Sequence, residues 1–430
     1  MKIIEGFAQA KALLSRQAKQ ETAADGEREK SVRRIIAEVR RRGDAALFDF
    51  TEQFDGVKLA QLEVTKAEID LAYRTLDKKL LAAMKLAAAR ITAYHREQQK
   101  ALLVESRRGR LGWFFRPIKR VGVHVPGFSA PLPSSLLMTA VPARVAGVKE
   151  IILVTPPQKT GRVSPVTLAA AKIAKIDRVF SIGGAQAVAA LAYGTASVPA
   201  VDKICGPGNA YATLAKKLVF GTVGIDGLYG PSEVIIIADE TANAAYAAAD
   251  LLAQAEHGAA SAILIATSRP VADNVNREVE AQLKTLARRD IIAADMARTG
   301  FIAVVADVAE GLALADMYAP EHLCLLVKDA ASYVKQVNNV GCLFVGENAI
   351  EALVDYAAGP SHVLPTDGTA RFSSGLNIMD FVKLISLVKM NKSDMKQIGG
   401  AAAAIAKAEG LDAHARALEK RLEDAGQGGT

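Results

Sequence analysis

An α/β protein is what the sequence predicts: two Rossmann-like parallel-sheet domains with small helical segments at the N- and C-termini. Three observations carry this. From about residue 121 onward, short apolar runs alternate with alanine-rich stretches of helical spacing. Gly/Pro-rich stretches, VGVHVPGFSAPLPSS and GLYGPSE, fall near residues 121 and 231. The region before about 120 and the last fifty residues instead carry helical periodicity and charge. Strand–helix alternation at this spacing argues for parallel strands joined by crossover helices.

The elements follow in order. In KSVRRIIAEVRRR (30–42), Val32, Ile35, Ile36 and Val39 stand at i, i+3, i+4 and i+7, an amphipathic helix whose arginines face water. Residues 78–99, rich in Ala, Leu, Lys and Arg and free of Pro and Gly, predict a second helix. Residues 150–155 form a strand closed by Pro156 and Pro157, and a helix follows over 167–176. The strand 178–182 runs into Gly183-Gly184 and a helix from Ala185; 202–205 runs into Gly206-Pro207-Gly208-Asn209, which opens another. After Pro231 come a strand 233–238, a helix 242–254, a strand 262–266, a helix near 271–287, and strands at 301–305, 322–327 and 342–345. The expected divisions are 1–120, a helical segment partly joining the first α/β domain; 121–231, that domain; 232–375, the second; and 376–430, a C-terminal helical segment ending in a polar QGGT tail.

Composition narrows the function classes. The 430 residues suffice for two or three domains at roughly 100–200 residues each, and 50% hydrophobic with 23% charged residues excludes an intrinsically disordered chain. Net charge is +7, and the pI is about 9.1. Three cysteines (Cys205, Cys324, Cys342), none in a C-x-x-C pair, cannot build a disulfide framework, so a reducing compartment is expected. The N-terminus has no apolar signal-peptide core and the chain has no run near the roughly 18 apolar residues of a membrane span, so a soluble cytoplasmic protein is expected. The basic excess and Arg33, Arg34, Arg40, Arg41 and Arg42 raise nucleic-acid binding as an alternative. Acids are interleaved with these arginines and aromatics are 5%, so solvated helix faces explain them better.

Histidine is scarce, with six in the chain. His95 lies in the charged stretch AYHREQQK and reads as solvated surface. Gln254-Ala-Glu-His257 closes an apolar helix, where i and i+3 share a face; by itself this is either a cap or a ligand pair. Asp355, expected on a helix over 349–358, is not marked by position alone. His414, five residues after Glu409, reads alone as part of a surface helix. No H-E-x-x-H or C-x-x-C motif exists, so any metal site must be assembled from distant segments. Pro320-Glu321-His322, between a helix and a strand, pairs an acid with an imidazole that could divide proton-transfer work, though Pro-Glu-His is also an ordinary turn. The glycine clusters 183–186 and 206–209 each follow a strand and open a helix, a setting that favours anionic or polar ligands. Neither matches G-x-G-x-x-G.

Taken together, VPGFSAPLPSSLLM, GGAQAVAALAYGT, VDKICGPGNAY, GIDGLYGPSE, LLAQAEHG, APEHL, GPSHVLPTDGTARFSS and the terminal EGLDAH make the chain resemble histidinol dehydrogenases over nearly its whole length. The resemblance implies one Zn2+ per subunit held by Gln254, His257, Asp355 and His414, with NAD as the second cofactor. It implies oxidation of L-histidinol to L-histidine through L-histidinaldehyde, with His322 as general base and Glu321 activating water. Ser232, His362 and Glu409 match positions around the substrate, which also meets Gln254, His257, His322, Asp355 and His414. His124, Gln186 and Asn209 match NAD contacts. The terminal segment carrying Glu409 and His414 implies a homodimer in which that segment completes the partner's site; neither a nucleic acid nor a membrane partner is implied. Three positions depart from the family pattern: His124 where Tyr is usual, Phe128 at the second Gly of a VPGG turn, and Ser361 for the Asn before His362. They leave room for a paralogue that oxidises another amino alcohol or diol.

Overall fold

The computed structural model describes residues 1–15, 23–106, 109–127, 131–258 and 260–426. Phe128 and the QGGT tail lie outside the described residues. The chain divides into two compact units, Met1–Gln99 with Pro117–Phe381, and Lys100–Arg116 with Val382–Thr430.

Among the described residues the strands run, in chain order, β1 (Lys2–Glu5), β2 (Glu63–Val64), β3 (Leu111–Pro117), β4 (Arg120–His124), β5 (Glu150–Val154), β6 (Arg178–Phe180) and β7 (Lys203–Cys205). Then follow β8 (Gly224–Ile225), β9 (Glu233–Ala238), β10 (Ser261–Ala266), β11 (Phe301–Val304), β12 (His322–Leu326), β13 (Cys342–Val345) and β14 (Val382–Val388). The first unit holds two six-stranded sheets. One is ordered β2-β6-β5-β4-β7-β8, parallel except where β2 meets β6. The other is ordered β1-β11-β10-β9-β12-β13 and is parallel throughout.

Strand β9 shows why the α/β pattern was readable. All six of its residues are buried. Val234, Ile236 and Ala238 join the core on one face of the sheet, and Ile235 and Ile237 join the core on the other. A strand covered by helices on both faces reads as an unbroken apolar run, not an alternation. The helix Ala23–Arg42 buries Val32, Ile35, Ile36 and Val39, the stripe the sequence predicts, against the helix Gly184–Tyr193 and its neighbours.

The structure also differs from expectation. The N-terminal Lys2–Glu5 is an edge strand of the second sheet, paired with β11, so the first residues belong with the later α/β layer. The second unit is a two-stranded β3–β14 ribbon with the helices Lys392–Ala408 and Asp412–Gly426, where sequence periodicity had suggested helix alone. Asn391 caps the first of these helices in a reciprocal box with Asp394, and Arg110 pairs with Asp394. The largest correction concerns His95. It is fully buried, not solvated. On the helix Lys78–Leu102 the buried positions are Met84, Ala87, Ile91 and His95, one stripe at helical spacing, and the charged residues around the histidine conceal it. Its Nδ1–H donates to the Ile91 carbonyl at 2.9 Å, and burial lowers its pKa.

Candidate active site

The site begins at the amino ends of β9 and β12. The parallel register pairs His322 with Val234, which sets the Glu233 carbonyl beside the imidazole. Nδ1–H of His322 donates to that carbonyl at 3.1 Å, so Nε2 keeps its lone pair, and it has no hydrogen-bond partner. Burial pushes the ring pKa down to about 3, leaving the histidine neutral at physiological pH. Glu321, the preceding residue, accepts the Glu233 N–H on Oε2 at 3.0 Å, and burial raises its carboxyl well above the usual range. The backbone of one residue, Glu233, thus orients both members of the acid–imidazole pair.

A second cluster of donors lies nearby. The helix Ala244–Ala255 brings Gln254, fully buried, and His257, in the turn just beyond its end. The C-terminal end of a helix carries partial negative charge and suits a cation. Glu351 and Asp355 come from the helical turn Glu351–Leu353 and the π-helical turn Val354–Ala358 that continues it, in place of the regular helix expected over 349–358. Ligand atoms of His257, Glu351 and Asp355 all lie within 4.8 Å of one another. Burial pushes Asp355 up to about 6; burial and then the Asp355 charge raise Glu351 well above the ordinary carboxylate range. Two carboxyls, a histidine and a buried amide at a helix C-terminus form a mixed N/O set suited to a divalent ion such as zinc. No thiolate joins the set.

The remaining positions close around these two groups. His362 donates Nδ1–H to the Asp355 carbonyl at 2.9 Å and accepts the Ser135 hydroxyl on Nε2 at 3.2 Å, while burial lowers its pKa to about 4. Ser232, half-buried, lines the same cavity of about 630 Å³ as His257, Glu321, His322, Asp355 and His362. Leu80, Met84, Leu132 and Leu137 supply its apolar wall. Sequence reading missed Ser135, Glu233 and Glu351. Glu351 alone left a trace, a carboxylate four residues before Asp355 on one helical run. Ser361, also buried, is committed to the backbone: its hydroxyl donates to the Met138 carbonyl at 3.1 Å and accepts the Val363 N–H at 3.2 Å.

The expected dinucleotide contacts sit elsewhere in the first unit, along the carboxyl edge of the first sheet. There β4 lies between β5 and β7, so the strand order reverses at its carboxyl end, where open α/β sheets bind ligands. His124, the last residue of β4, is buried and donates Nδ1–H to the Pro207 carbonyl at 2.8 Å; its Nε2 has no partner, and burial lowers its pKa to about 4. Asn209 caps the helix Ala210–Val219, its Oδ1 accepting the N–H groups of Tyr211 and Ala212 at 3.1 and 3.0 Å. Gln186 is buried in the first turn of the helix Gly184–Tyr193. Gly206 must be glycine: its φ is +104°, and a Cβ there would stand 2.3 Å from the His124 carbonyl oxygen. Glu409 and His414 belong to the second unit, one at the C-cap of the helix Lys392–Ala408 and the other in the first turn of Asp412–Gly426, both exposed.

The sequence profile described as histidinol dehydrogenase matches residues 17–422. The chain belongs to the histidinol dehydrogenase family. A histidinol dehydrogenase of Dehalococcoides mccartyi strain CBDB1 is 55% identical over 436 residues, 98% of this chain and all of the relative. One from Deinococcus radiodurans is 49% identical over 444 residues, with the same coverage. The crystal structure of histidinol dehydrogenase from Elizabethkingia anophelis superposes with a TM-score of 0.93 at 34% identity, covering 99% of this chain and 98% of that one. Membership of the histidinol dehydrogenase family therefore extends over both units, and the family resemblance read from the motifs is borne out along with the α/β fold.

Proposed function

We propose that this chain oxidises L-histidinol to L-histidine in two steps through L-histidinaldehyde, the last reaction of histidine biosynthesis. The observation that carries the reading is the juxtaposition, in one cavity, of a neutral imidazole with an unengaged Nε2, an adjacent buried carboxyl and a mixed N/O donor cluster. Whole-length identity to histidinol dehydrogenases supports the choice of substrate.

His322 acts first. Its Nε2 takes the alcohol proton as the carbinol C–H bond delivers hydride, giving the aldehyde; Nδ1, held on the Glu233 carbonyl, keeps the ring in the tautomer that can do so. A carboxyl held well above the usual range is, once ionised, a correspondingly stronger base, and Glu321 uses it to take a proton from the water that adds to the aldehyde carbon. The tetrahedral alkoxide so formed then gives up the second hydride and its remaining hydroxyl proton to become the carboxylate. His124, Gln186 and Asn209 would hold NAD, which when bound would supply the hydride acceptor for both oxidations. Gln254, His257 and Asp355, with His414, would hold a zinc ion, which when bound would supply a Lewis acid that helps to position the substrate. Ser232, His362 and Glu409 complete the substrate's surroundings. Glu409 and His414 reach the site from the terminal segment of a second copy, so the active form is a homodimer. Keeping the aldehyde in one site protects a reactive amino aldehyde.

The test is NADH formation by purified, zinc-loaded protein with L-histidinol and NAD, against a chelated control. Two NADH per histidinol, abolished by chelation, is the expected result. Stoichiometric zinc and a folded dimer without turnover would refute the substrate assignment and direct the search to other amino alcohols.

A further inference from the structure

The π-helical turn Val354–Ala358, which carries Asp355, cannot continue through that residue's carbonyl. In a π turn the carbonyl of residue i takes the N–H of residue i+5, and five residues on from Asp355 stands Pro360, which has no N–H. A carbonyl left over at a helix end needs a donor from outside the helix. His362 supplies it: Nδ1–H donates to the Asp355 carbonyl at 2.9 Å. A neutral imidazole has one N–H, so the ring that does this keeps an acceptor at Nε2. That nitrogen stands 3.2 Å from the hydroxyl of Ser135, the third residue of the helix Pro133–Ala146 and 5% exposed. Facing a lone pair, the hydroxyl donates. The two bonds enforce one another. Moving the proton to Nε2 would set a lone pair against the Asp355 carbonyl, and turning the ring over would set carbon atoms against both partners.

We infer that Ser135 is a positioning residue of the donor cluster: its hydroxyl holds His362 in the tautomer and orientation that tie down the Asp355 backbone, and so fixes the turn from which the Asp355 carboxylate meets His257 and Glu351. The inference rests on the proposed zinc site and adds to it a residue that would touch neither the metal nor its ligands. A serine that only packs the first turn of its helix would alter stability and leave the metal alone, so metal affinity separates the two roles. Outer partners that orient a metal ligand typically contribute 10–100-fold to metal affinity. Ser135 acts one bond further out, through His362, and belongs at the low end of that range.

The experiment is zinc affinity of the full-length protein, measured with the metal alone by competition against a chromophoric chelator, with urea unfolding of each variant alongside. The variants are Ser135→Ala, Ser135→Thr, His362→Phe and the Ser135→Ala/His362→Phe double. Ser135→Ala is expected to weaken zinc by about tenfold, and His362→Phe, which loses both bonds, by about 10–100-fold. Ser135→Thr keeps the hydroxyl and should return affinity to within about threefold of the native protein. In the His362→Phe background, Ser135→Ala should cost less than about twofold more, because the group it positions is gone. Native zinc affinity in Ser135→Ala, even with reduced stability, would overturn the inference and leave Ser135 a packing residue. So would equal losses from Ser135→Ala with and without the His362 imidazole, or a Thr variant as weak as the Ala variant. Should His362→Phe not fold, His362→Leu enters the same cycle. These failures leave zinc bound to the native protein; a native protein that binds no zinc at all would fell the metal reading itself and this inference with it.

Discussion

Replacing Lys216 by Met tests how the glycine turn at 206–209 is held. Lys216 and Asp226 form an ion pair of 2.5 Å whose side chains are 2% and 0% exposed. Between them they hold both backbone polar groups of one residue: Asp226 Oδ2 accepts the Gly206 N–H at 2.6 Å, and Lys216 Nζ donates to the Gly206 carbonyl at 3.1 Å. The turn so fixed presents the Pro207 carbonyl to His124 and Asn209 to the next helix. Removing one partner of a buried pair costs about 3–5 kcal/mol, most of it from the charge left behind. Here the stranded Asp226 keeps the N–H groups of Gly206 and Gly227, so the expected loss is near the low end, about 3 kcal/mol. Lys216→Met/Asp226→Asn should recover at least half of it, since no charge is stranded and the amide oxygen still accepts one N–H. Urea unfolding followed by far-ultraviolet circular dichroism measures the stability. Steady-state kinetics should show KM for NAD rising while KM for histidinol moves little. A single variant within about 1 kcal/mol of the native protein, or a double variant as unstable as the single, would refute the reasoning.

Two further outcomes are expected. His322→Asn keeps a side-chain N–H for the Glu233 carbonyl but has no basic nitrogen, so it should retain stoichiometric zinc and lose about 10²–10⁴ in kcat; single-turnover NADH formation at the native rate would remove His322 from the chemistry. His124→Phe should change how stability depends on pH. The native ring has its pKa pressed down to about 4, against roughly 6.5 when unfolded, so between those values only the unfolded chain takes up the proton. Stability from this group is complete above about pH 6.5 and is lost as pH falls toward 4, by at most about 3 kcal/mol. The native-minus-variant difference in unfolding free energy, in which other titrating groups cancel, should shrink by that amount between pH 7 and pH 4, and a flat difference would show that the ring takes up its proton as readily in the fold as in the unfolded chain.

Much of the architecture was legible because it rests on burial. Parallel strands covered on both faces, such as β9, stand out as apolar runs, and the stripe Val32-Ile35-Ile36-Val39 reads directly as a helix face. The β3–β14 ribbon was not legible. All seven residues of β14 are exposed or half-buried, and they show neither an unbroken apolar run nor a clean alternation. His95 was misread for the complementary reason: one buried polar residue on a helix rich in Lys and Arg is outvoted by its neighbours, and only its spacing from Met84, Ala87 and Ile91 betrays it.

At the site, adjacency was legible and support was not. Glu321-His322 and Gln254…His257 announce themselves because each pair is local in sequence. Glu233 hides at the head of an apolar strand, and Ser135 hides in PLPSSLL. Their work depends on contacts 89 residues and 227 residues away in the chain. No spacing rule reaches that far.

The sheet explains how such distant residues converge without a motif. Open α/β sheets usually bind ligands beyond the carboxyl ends of their strands. The first sheet keeps to this, with His124 and Gly206 at the carboxyl ends of β4 and β7. The acid–imidazole pair lies instead at the amino ends of β9 and β12, where the helix Ala244–Ala255 returns with its C-terminus. Helix N-termini gather at one edge of a parallel sheet and favour anions; helix C-termini gather at the other and favour cations. Assigning phosphate-bearing NAD to the first edge and a metal ion to the second therefore follows the field each edge already has. Register does the rest. Side chains alternate faces along a strand, so sliding β12 by one residue against β9 would put the His322 ring on the opposite face from its present partner carbonyl and release Nδ1 from Glu233. The tautomer that leaves the His322 Nε2 lone pair free is fixed by the pairing His322 with Val234, and that pairing is enforced by Ile235, Ile236, Leu323 and Cys324 packing into the two faces of the core.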